Sequence, residues 1–84
     1  MSLIRVDVMG KPGCHLCEDA DAVIDEVVSD SADIELVRHN ILDDAELFEL
    51  WHDDIPVVLI DGLKHSSWAV DADAFRSALE EARA

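Results

Sequence analysis

Residues 11–17 read Lys-Pro-Gly-Cys-His-Leu-Cys and hold the only two cysteines of the chain, Cys14 and Cys17. Residues 3–9, just before this stretch, are mostly Ile, Val, Leu and Met, which is typical of a buried strand. The glycines and the proline of residues 10–13 indicate a loop. From residue 14 to about residue 30, apolar positions recur with a helical period. The cysteine pair is therefore predicted to lie where a strand leads into the first turn of a helix.

The rest of the chain predicts a strand, a helix, a hairpin of two strands and a closing helix, over residues 34–41, 45–51, 57–60, 63–70 and 71–83. In the short helix, Leu47, Leu50 and Trp51 are expected to face inward. Asp61-Gly62 is a strong signal for a two-residue hairpin turn. The order β-α-β-α-β-β-α predicts a single α/β domain over residues 1–84, with a parallel βαβ unit followed by a hairpin.

The charge of the chain limits its partners. Its 84 residues include 20 Asp and Glu but only 6 Lys and Arg, which gives a net charge of −14. Binding to nucleic acid or to anionic lipid requires a basic face, so neither partner is expected. No apolar run approaches the roughly 18–20 residues of a membrane span, and the first residues do not resemble a signal peptide. We expect a cytoplasmic protein, whose acidity has two open interpretations, namely solubility and adaptation to high salt.

The position of the cysteines predicts thiol chemistry. Residues three apart in a helix lie on neighbouring turns, so the two sulfur atoms can approach each other. A helix N-terminus carries unpaired N–H groups and a partial positive charge, which stabilise a thiolate. Cys14, nearer the N-terminus and more exposed, is the expected nucleophile. Cys17, one turn deeper, is the expected resolving thiol for a mixed disulfide.

The motif of residues 11–17, followed later by Ile55-Pro56-Val57-Val58, resembles the glutaredoxin branch of the thioredoxin superfamily. It is most similar to the small bacterial glutaredoxin-like proteins that carry Gly-Cys-x-Leu-Cys, and the resemblance covers essentially the whole chain. It implies a thioredoxin fold with a central four-stranded mixed sheet, flanked by helices, and dithiol–disulfide exchange. It also implies a cis Ile55–Pro56 peptide bond facing the cysteines. The backbone of Ile55 would then pair with an extended peptide or with glutathione.

The chain departs from the glutaredoxin pattern at two places. His15 and Leu16 stand between the cysteines where typical members have Pro-Tyr, and residues 66–73 lack the Gly-Gly-x-x-Asp segment that binds the γ-glutamyl end of glutathione. Asp71, at a predicted helix start, remains a candidate for that site through neighbouring backbone amides. Trp68 is positioned to block it. Lys11 matches the lysine that pairs with the glycine carboxylate of glutathione.

Other side chains near the motif have competing interpretations. As a cation, His15 would stabilise a Cys14 thiolate, whereas an exposed neutral ring would do little. Leu16 is expected to pack. Asp7, on the first strand, is either a buried proton acceptor beneath Cys17 or, as we favour, a solvated carboxylate at the strand edge. The other histidines are expected at the surface.

The sequence therefore predicts a thiol–disulfide oxidoreductase that works as a monomer and needs no resident cofactor or metal. Its expected substrates are a disulfide-containing protein or a glutathione mixed disulfide. Glutathione or a thioredoxin-type reductase would supply electrons. The main alternative is a metal or iron–sulfur site through the same cysteines, although one chain holds no second Cys-x-x-Cys pair to complete a zinc site. A redox-inert adaptor is a third possibility.

Overall fold

The secondary structure elements follow the predicted order. The computed structural model describes residues 3–83, so the predicted domain limits at residues 1 and 84 lie outside the described part. Strands β1 to β4 span Ile4–Gly10, Ile34–Asn40, Val57–Ile60 and Leu63–Ser67. Helices α1 to α3 span His15–Ser29, Ala45–Trp51 and Ala72–Arg83, and a single 3-10 turn over Ile41–Asp43 precedes α2. The predicted α/β order is confirmed.

The four strands form one mixed sheet in the order β2-β1-β3-β4. β1 and β2 are parallel, with Ile4 opposite Ile34 and Gly10 opposite Asn40. β3 is antiparallel to β1, and β4 is antiparallel to β3. This arrangement is the parallel βαβ unit plus hairpin that the sequence predicts. No helix within residues 3–83 has the length and apolar character needed to cross a membrane.

The larger part of the core lies between the sheet and helices α1 and α3. Val6 and Val8 of β1 pack with Ile24 of α1 and with Phe75 and Leu79 of α3. All these side chains are at most 4% exposed. Alternate residues of a strand point to opposite faces, so Ile4, Val6 and Val8 place one face of β1 in this core.

A smaller apolar cluster covers the other face at the end of the sheet nearest the cysteines. Its buried members are Met9, Cys17, Ile41, Ile55 and Val57. Leu47 and Trp51 of α2 pack against it, as predicted. The inward prediction for Leu50 is wrong, because its side chain is 63% exposed. Leu50 instead lines a surface hollow with Ala45, Glu46 and Glu49, on the solvent side of the seven-residue α2.

The start of α1 and the end of β4 also differ from the predictions. Leu16, expected to pack, is 48% exposed, and Cys17 takes the inward position in the first turn. β4 ends at Ser67 rather than at residue 70. Trp68 has a φ of 68°, in the left-handed region, which an extended strand cannot contain. The hairpin turn is as predicted, with positive φ at both Asp61 and Gly62.

Arginine side chains link helices α1 and α3 to β2 and to the loop that precedes it. Arg38 of β2 bonds Asp21 of α1, with Nε 3.2 Å from the carboxylate, and also bonds Asp25. At the opposite end of the molecule, the Nε of Arg83 donates to Asp33 at 2.7 Å. These pairs neutralise two of the few cations of the chain.

The core between α3 and the sheet should account for much of the stability. Phe75 is fully buried, whereas Leu63 in the hairpin is 76% exposed. We expect Phe75→Ala to lower the free energy of unfolding by about 3–5 kcal/mol, because it removes buried surface and leaves a cavity. Leu63→Ala should change it by less than about 0.5 kcal/mol. Chemical denaturation measures both values, and similar losses for the two variants would contradict this description of the core.

Candidate active site

Four segments of the chain join the sheet at the same end of its strands. Met9 lies opposite Val57, Val57 lies opposite Ser67, and Gly10 lies opposite Asn40. The ends of β1, β2 and β4 and the start of β3 therefore meet at one end of the sheet. We call this region the cysteine edge, and it consists of residues 10–19, 40–44, 53–57 and 67–73.

Cys14 is the N-cap of α1. Its backbone is extended, with φ −94° and ψ 110°, and its carbonyl accepts the Glu18 N–H at 3.1 Å. The Cys14 Sγ accepts a hydrogen bond from the backbone N–H of Cys17 at 3.2 Å. An N-cap acceptor satisfies one of the unpaired donors of a helix start, and here that acceptor is sulfur. The bond places the Cys14 sulfur where the helix favours negative charge.

Cys17 lies one turn deeper and is 7% exposed. Burial in apolar surroundings raises the pKa of its thiol to about 11, and a hydrogen bond to Cys14 acts in the same direction. The backbone N–H of Lys11 bonds the Cys17 sulfur and partly opposes this effect. Both cysteines are free thiols. The pair thus consists of an accessible sulfur that accepts hydrogen bonds and a buried sulfur that keeps its proton.

Gly10 leaves room for the buried thiol. A Cβ atom at this position would lie 3.2 Å from the Cys17 Sγ, which is tighter than ordinary van der Waals contact. The sequence pattern places Gly10 only in a loop and does not indicate that it leaves room for Cys17. A glycine at the end of a strand, just before the motif, is the sequence feature that could have indicated such a close approach.

The Ile55–Pro56 peptide bond is cis, and both residues are buried at the cysteine edge. Ile55 belongs to the same apolar cluster as Cys17, and Cys14 packs against that cluster. The structure therefore brings together Cys14, Cys17, Ile55 and Pro56, the central part of the predicted site.

Lys11 and Asp71 flank this centre on opposite sides. Lys11 lines a shallow cavity of about 270 Å³ on the β2 side, together with Arg38, His39 and Asn40. Asp71 lies beyond β4, where its carboxylate accepts the Asp73 N–H at 3.1 Å. The carboxylate of Asp71 therefore already caps its own helix. Asp71 is not among the residues that line the cavity beside Lys11.

His15 points into solvent. Its side chain is 97% exposed, and its Nδ1 lies 3.7 Å from the Glu18 carboxylate. In the charged form of the ring, the glutamate partly neutralises it. Within residues 3–83, no hydrogen bond joins the His15 ring to either cysteine sulfur.

Trp68 is fixed against the segment that precedes the cis bond. Its backbone N–H donates to the Pro56 carbonyl at 3.0 Å, and its indole Nε1 donates to the Asp53 carbonyl at 3.0 Å. The ring nevertheless remains 57% exposed. The aromatic ring of Trp68 is therefore fixed in position and open to solvent at the cysteine edge, beside the start of β3.

Asp7 is buried, so the favoured prediction of a solvated carboxylate is wrong. It is 8% exposed and accepts hydrogen bonds from Arg5 Nε at 3.0 Å, and it lies 2.8 Å from His39 Nε2. Burial alone would raise the pKa of Asp7, but the bonds and charges of Arg5 and His39 outweigh it and lower that pKa. The contacts of the carboxylate are thus with β1 and β2 side chains rather than with Cys17. Within residues 3–83, no cluster of three or more His, Cys, Asp or Glu side chains is placed to hold a metal ion.

Comparison with known proteins identifies the family. Residues 5–80 match the Glutaredoxin-like domain family (DUF836), which covers most of the chain. The chain belongs to this family. No curated protein matches this glutaredoxin-like chain at a significant level.

Solved structures confirm the thioredoxin-like fold. Protein Ne2328 from Nitrosomonas europaea is similar, with a TM-score of 0.75 and 26% identity over 93% of each chain. A protein from X. campestris has a TM-score of 0.72 and 24% identity, over 90% of this chain and 96% of its own. Oxidised thioredoxin from Plasmodium falciparum has a TM-score of 0.69 at 11% identity, over 99% of this chain and 84% of its own.

The Cys17 thiol of this glutaredoxin-like chain should titrate above the ordinary range of a cysteine. In the reduced protein we expect Cys17 to ionise near pH 11, measured as thiolate ultraviolet absorbance, and this step should vanish in Cys17→Ala. The chain has no tyrosine to obscure the signal. Because the folded state holds this proton more tightly than the unfolded chain, the reduced protein should lose stability as pH rises from about 9 to about 11. Ionisation of Cys17 at the value of a free thiol would contradict the geometry of the pair.

Proposed function

We propose that this chain is a thiol–disulfide oxidoreductase with Cys14 as its nucleophile and Cys17 as its resolving thiol. The observation that supports this most directly is the bond from the Cys17 N–H to the Cys14 Sγ at the start of α1. It makes the exposed end of the pair the natural position for a thiolate, which is the reactive form of cysteine.

The first step is attack on a substrate disulfide. Cys14 thiolate forms a bond with one substrate sulfur, the substrate S–S bond breaks, and the departing thiolate takes a proton. The product is a mixed disulfide on Cys14. The half-buried position of Cys14 at the cysteine edge leaves its sulfur open to a protein or peptide substrate. The backbone of Ile55, beside the cysteines, is the surface against which an extended substrate would lie.

The second step uses Cys17. Its sulfur loses its proton, attacks the Cys14 Sγ and releases the second substrate thiol, which leaves a Cys14–Cys17 disulfide. Counting the proton that Cys14 gave up to form its thiolate, two electrons and two protons have then passed from the dithiol to the substrate. The raised pKa of Cys17 keeps it protonated until the mixed disulfide has formed. Glutathione or a thioredoxin-type reductase would return the electrons, as expected in the cytoplasm, where we place this activity.

Replacing each cysteine should separate the two steps. With 2-hydroxyethyl disulfide as oxidant, Cys14→Ser should lower the reduction rate at least 100-fold, because the attacking sulfur is lost. Cys17→Ser should instead accumulate a stable mixed disulfide on Cys14, visible as an added mass. Intact mass spectrometry after acid quenching measures both outcomes.

A displaced thiol provides the matched control. Ser77 lies on an exposed face of α3, so the double variant Cys14→Ser, Ser77→Cys has a free thiol outside the proposed site. It should react no faster than an ordinary exposed cysteine. Activity in this double variant equal to that of the native chain would show that the cysteine edge is not the reacting site.

A further inference from the structure

The cysteine edge carries a strong excess of negative charge. Acidic side chains flank the cysteines on the α1 side and on the side of the cis bond, at Glu18, Asp19, Asp53, Asp54, Asp71 and Asp73. Several of these point into solvent, with side-chain exposures of 71% for Glu18, 86% for Asp53 and 95% for Asp73. Asp53 lies 3.1 Å from His52 Nδ1, and Asp73 lies 3.9 Å from an Arg76 guanidinium nitrogen. Both pairs are open to solvent, so these carboxylates still act on an approaching molecule.

Few cations balance these acids. Lys11 is the only lysine or arginine in the segments that form the cysteine edge. Arg38, which lines the same shallow cavity as Lys11, is already paired with Asp21 and Asp25. His15 is paired with Glu18 when charged. Carboxylates thus outnumber cations in the segments around Cys14, within a chain whose net charge is −14.

The fixed indole ring of Trp68 also favours a cationic partner. Its indole N–H is committed to the Asp53 carbonyl, so one edge of the ring is fixed while more than half of the side chain stays exposed. The face of an indole attracts cations, by roughly 0.5–1 kcal/mol at an exposed site. An aromatic face among carboxylates is therefore suited to an ammonium or guanidinium group.

We propose that the Cys14 site selects cationic disulfides, and that its natural substrate class is a disulfide within a Lys- or Arg-rich segment of a partner protein. This inference rests on the proposed function, since it requires Cys14 to attack a disulfide. Glutathione disulfide carries more carboxylates than ammonium groups, so the same field repels it. Charge complementarity acts mainly on the rate of encounter, and steering changes such rates by about 10- to 1000-fold.

Three small disulfides of graded charge test the inference on the intact reduced protein. Cystamine is a dication, 2-hydroxyethyl disulfide is neutral, and glutathione disulfide is an anion. In each case Cys14 attacks the probe, forms a mixed disulfide and releases one thiol. Each rate is divided by the rate of a neutral reference thiol with the same probe, which removes differences in intrinsic reactivity.

At low ionic strength we expect the normalised rate for cystamine to exceed that for glutathione disulfide at least 10-fold, with the neutral probe between them. In about 1 M salt the Debye length falls to about 3 Å, so the ratio should fall below about 3-fold. Equal normalised rates for the three probes at low salt would overturn the inference and leave the proposed function intact. Failure of all three probes to react with Cys14 would overturn both.

Matched charge variants locate the effect. Asp53→Lys with Asp73→Lys reverses two exposed charges at the cysteine edge, and should lower the cystamine preference at least 3-fold at low salt. Asp30→Lys with Glu80→Lys makes the same change in net charge at the end of α1 and in the later part of α3, away from the cysteine edge. This control pair should retain most of the preference. An equal loss in both pairs would show that net charge, rather than the cysteine edge, sets the selectivity.

Trp68→Leu tests the contribution of the ring. It removes the aromatic face but leaves every charge in place. We expect a 2- to 5-fold slower reaction with cystamine that persists in high salt, and an unchanged rate with the neutral probe. A similar loss for both probes would assign Trp68 to the general shape of the site instead of cation recognition.

Discussion

The arrangement at the cysteine edge depends on the hydrogen bond that the Cys14 sulfur accepts at the N-cap position of α1. Because the Cys14 sulfur caps the helix, Cys17 falls one turn later and points inward. Burial then keeps a proton on Cys17, while the helix start favours negative charge on Cys14. Two chemically identical side chains thus acquire different environments from their positions in a single helical turn.

Packing beneath the pair supports that difference. Gly10 ends β1 without a side chain, which lets Cys17 settle close to the strand. Ile55 and Met9 complete the apolar surroundings. Ile55, one of the residues that exclude water from Cys17, is also joined to Pro56 by the cis bond. Changes to this cluster would affect the chemistry of the Cys17 thiol without altering Cys17 itself.

Much of this could be predicted from the sequence, because the decisive signals are local. The Cys-x-x-Cys pair after a strand, the helical period of α1 and the Asp61-Gly62 turn each depend on neighbouring residues, and each corresponds to the structure. The order of elements then limits the possible sheets to a few. The family resemblance agrees with the match over residues 5–80.

The failures at Asp7 and at the end of β4 depend largely on contacts with residues that are distant in the sequence. Asp7 looks like a solvated acid in the sequence, but Arg5 and His39 cover it once β1 and β2 pair. The end of β4 at Ser67 depends on bonds from Trp68 to Pro56 and Asp53. No periodicity within either strand contains this information. The roles predicted for the Lys11 and His15 side chains remain predictions.

The most direct test of the account is intact mass spectrometry of the reduced protein equilibrated in glutathione buffers of defined potential. We predict the loss of two hydrogen masses with one midpoint, inside the roughly −180 to −270 mV range of redox domains. The step should be absent when either Cys14 or Cys17 is replaced by serine. An unchanged mass across all buffers would contradict a working Cys14–Cys17 couple, and metal retained by the native protein in the same experiment would favour a metal site instead.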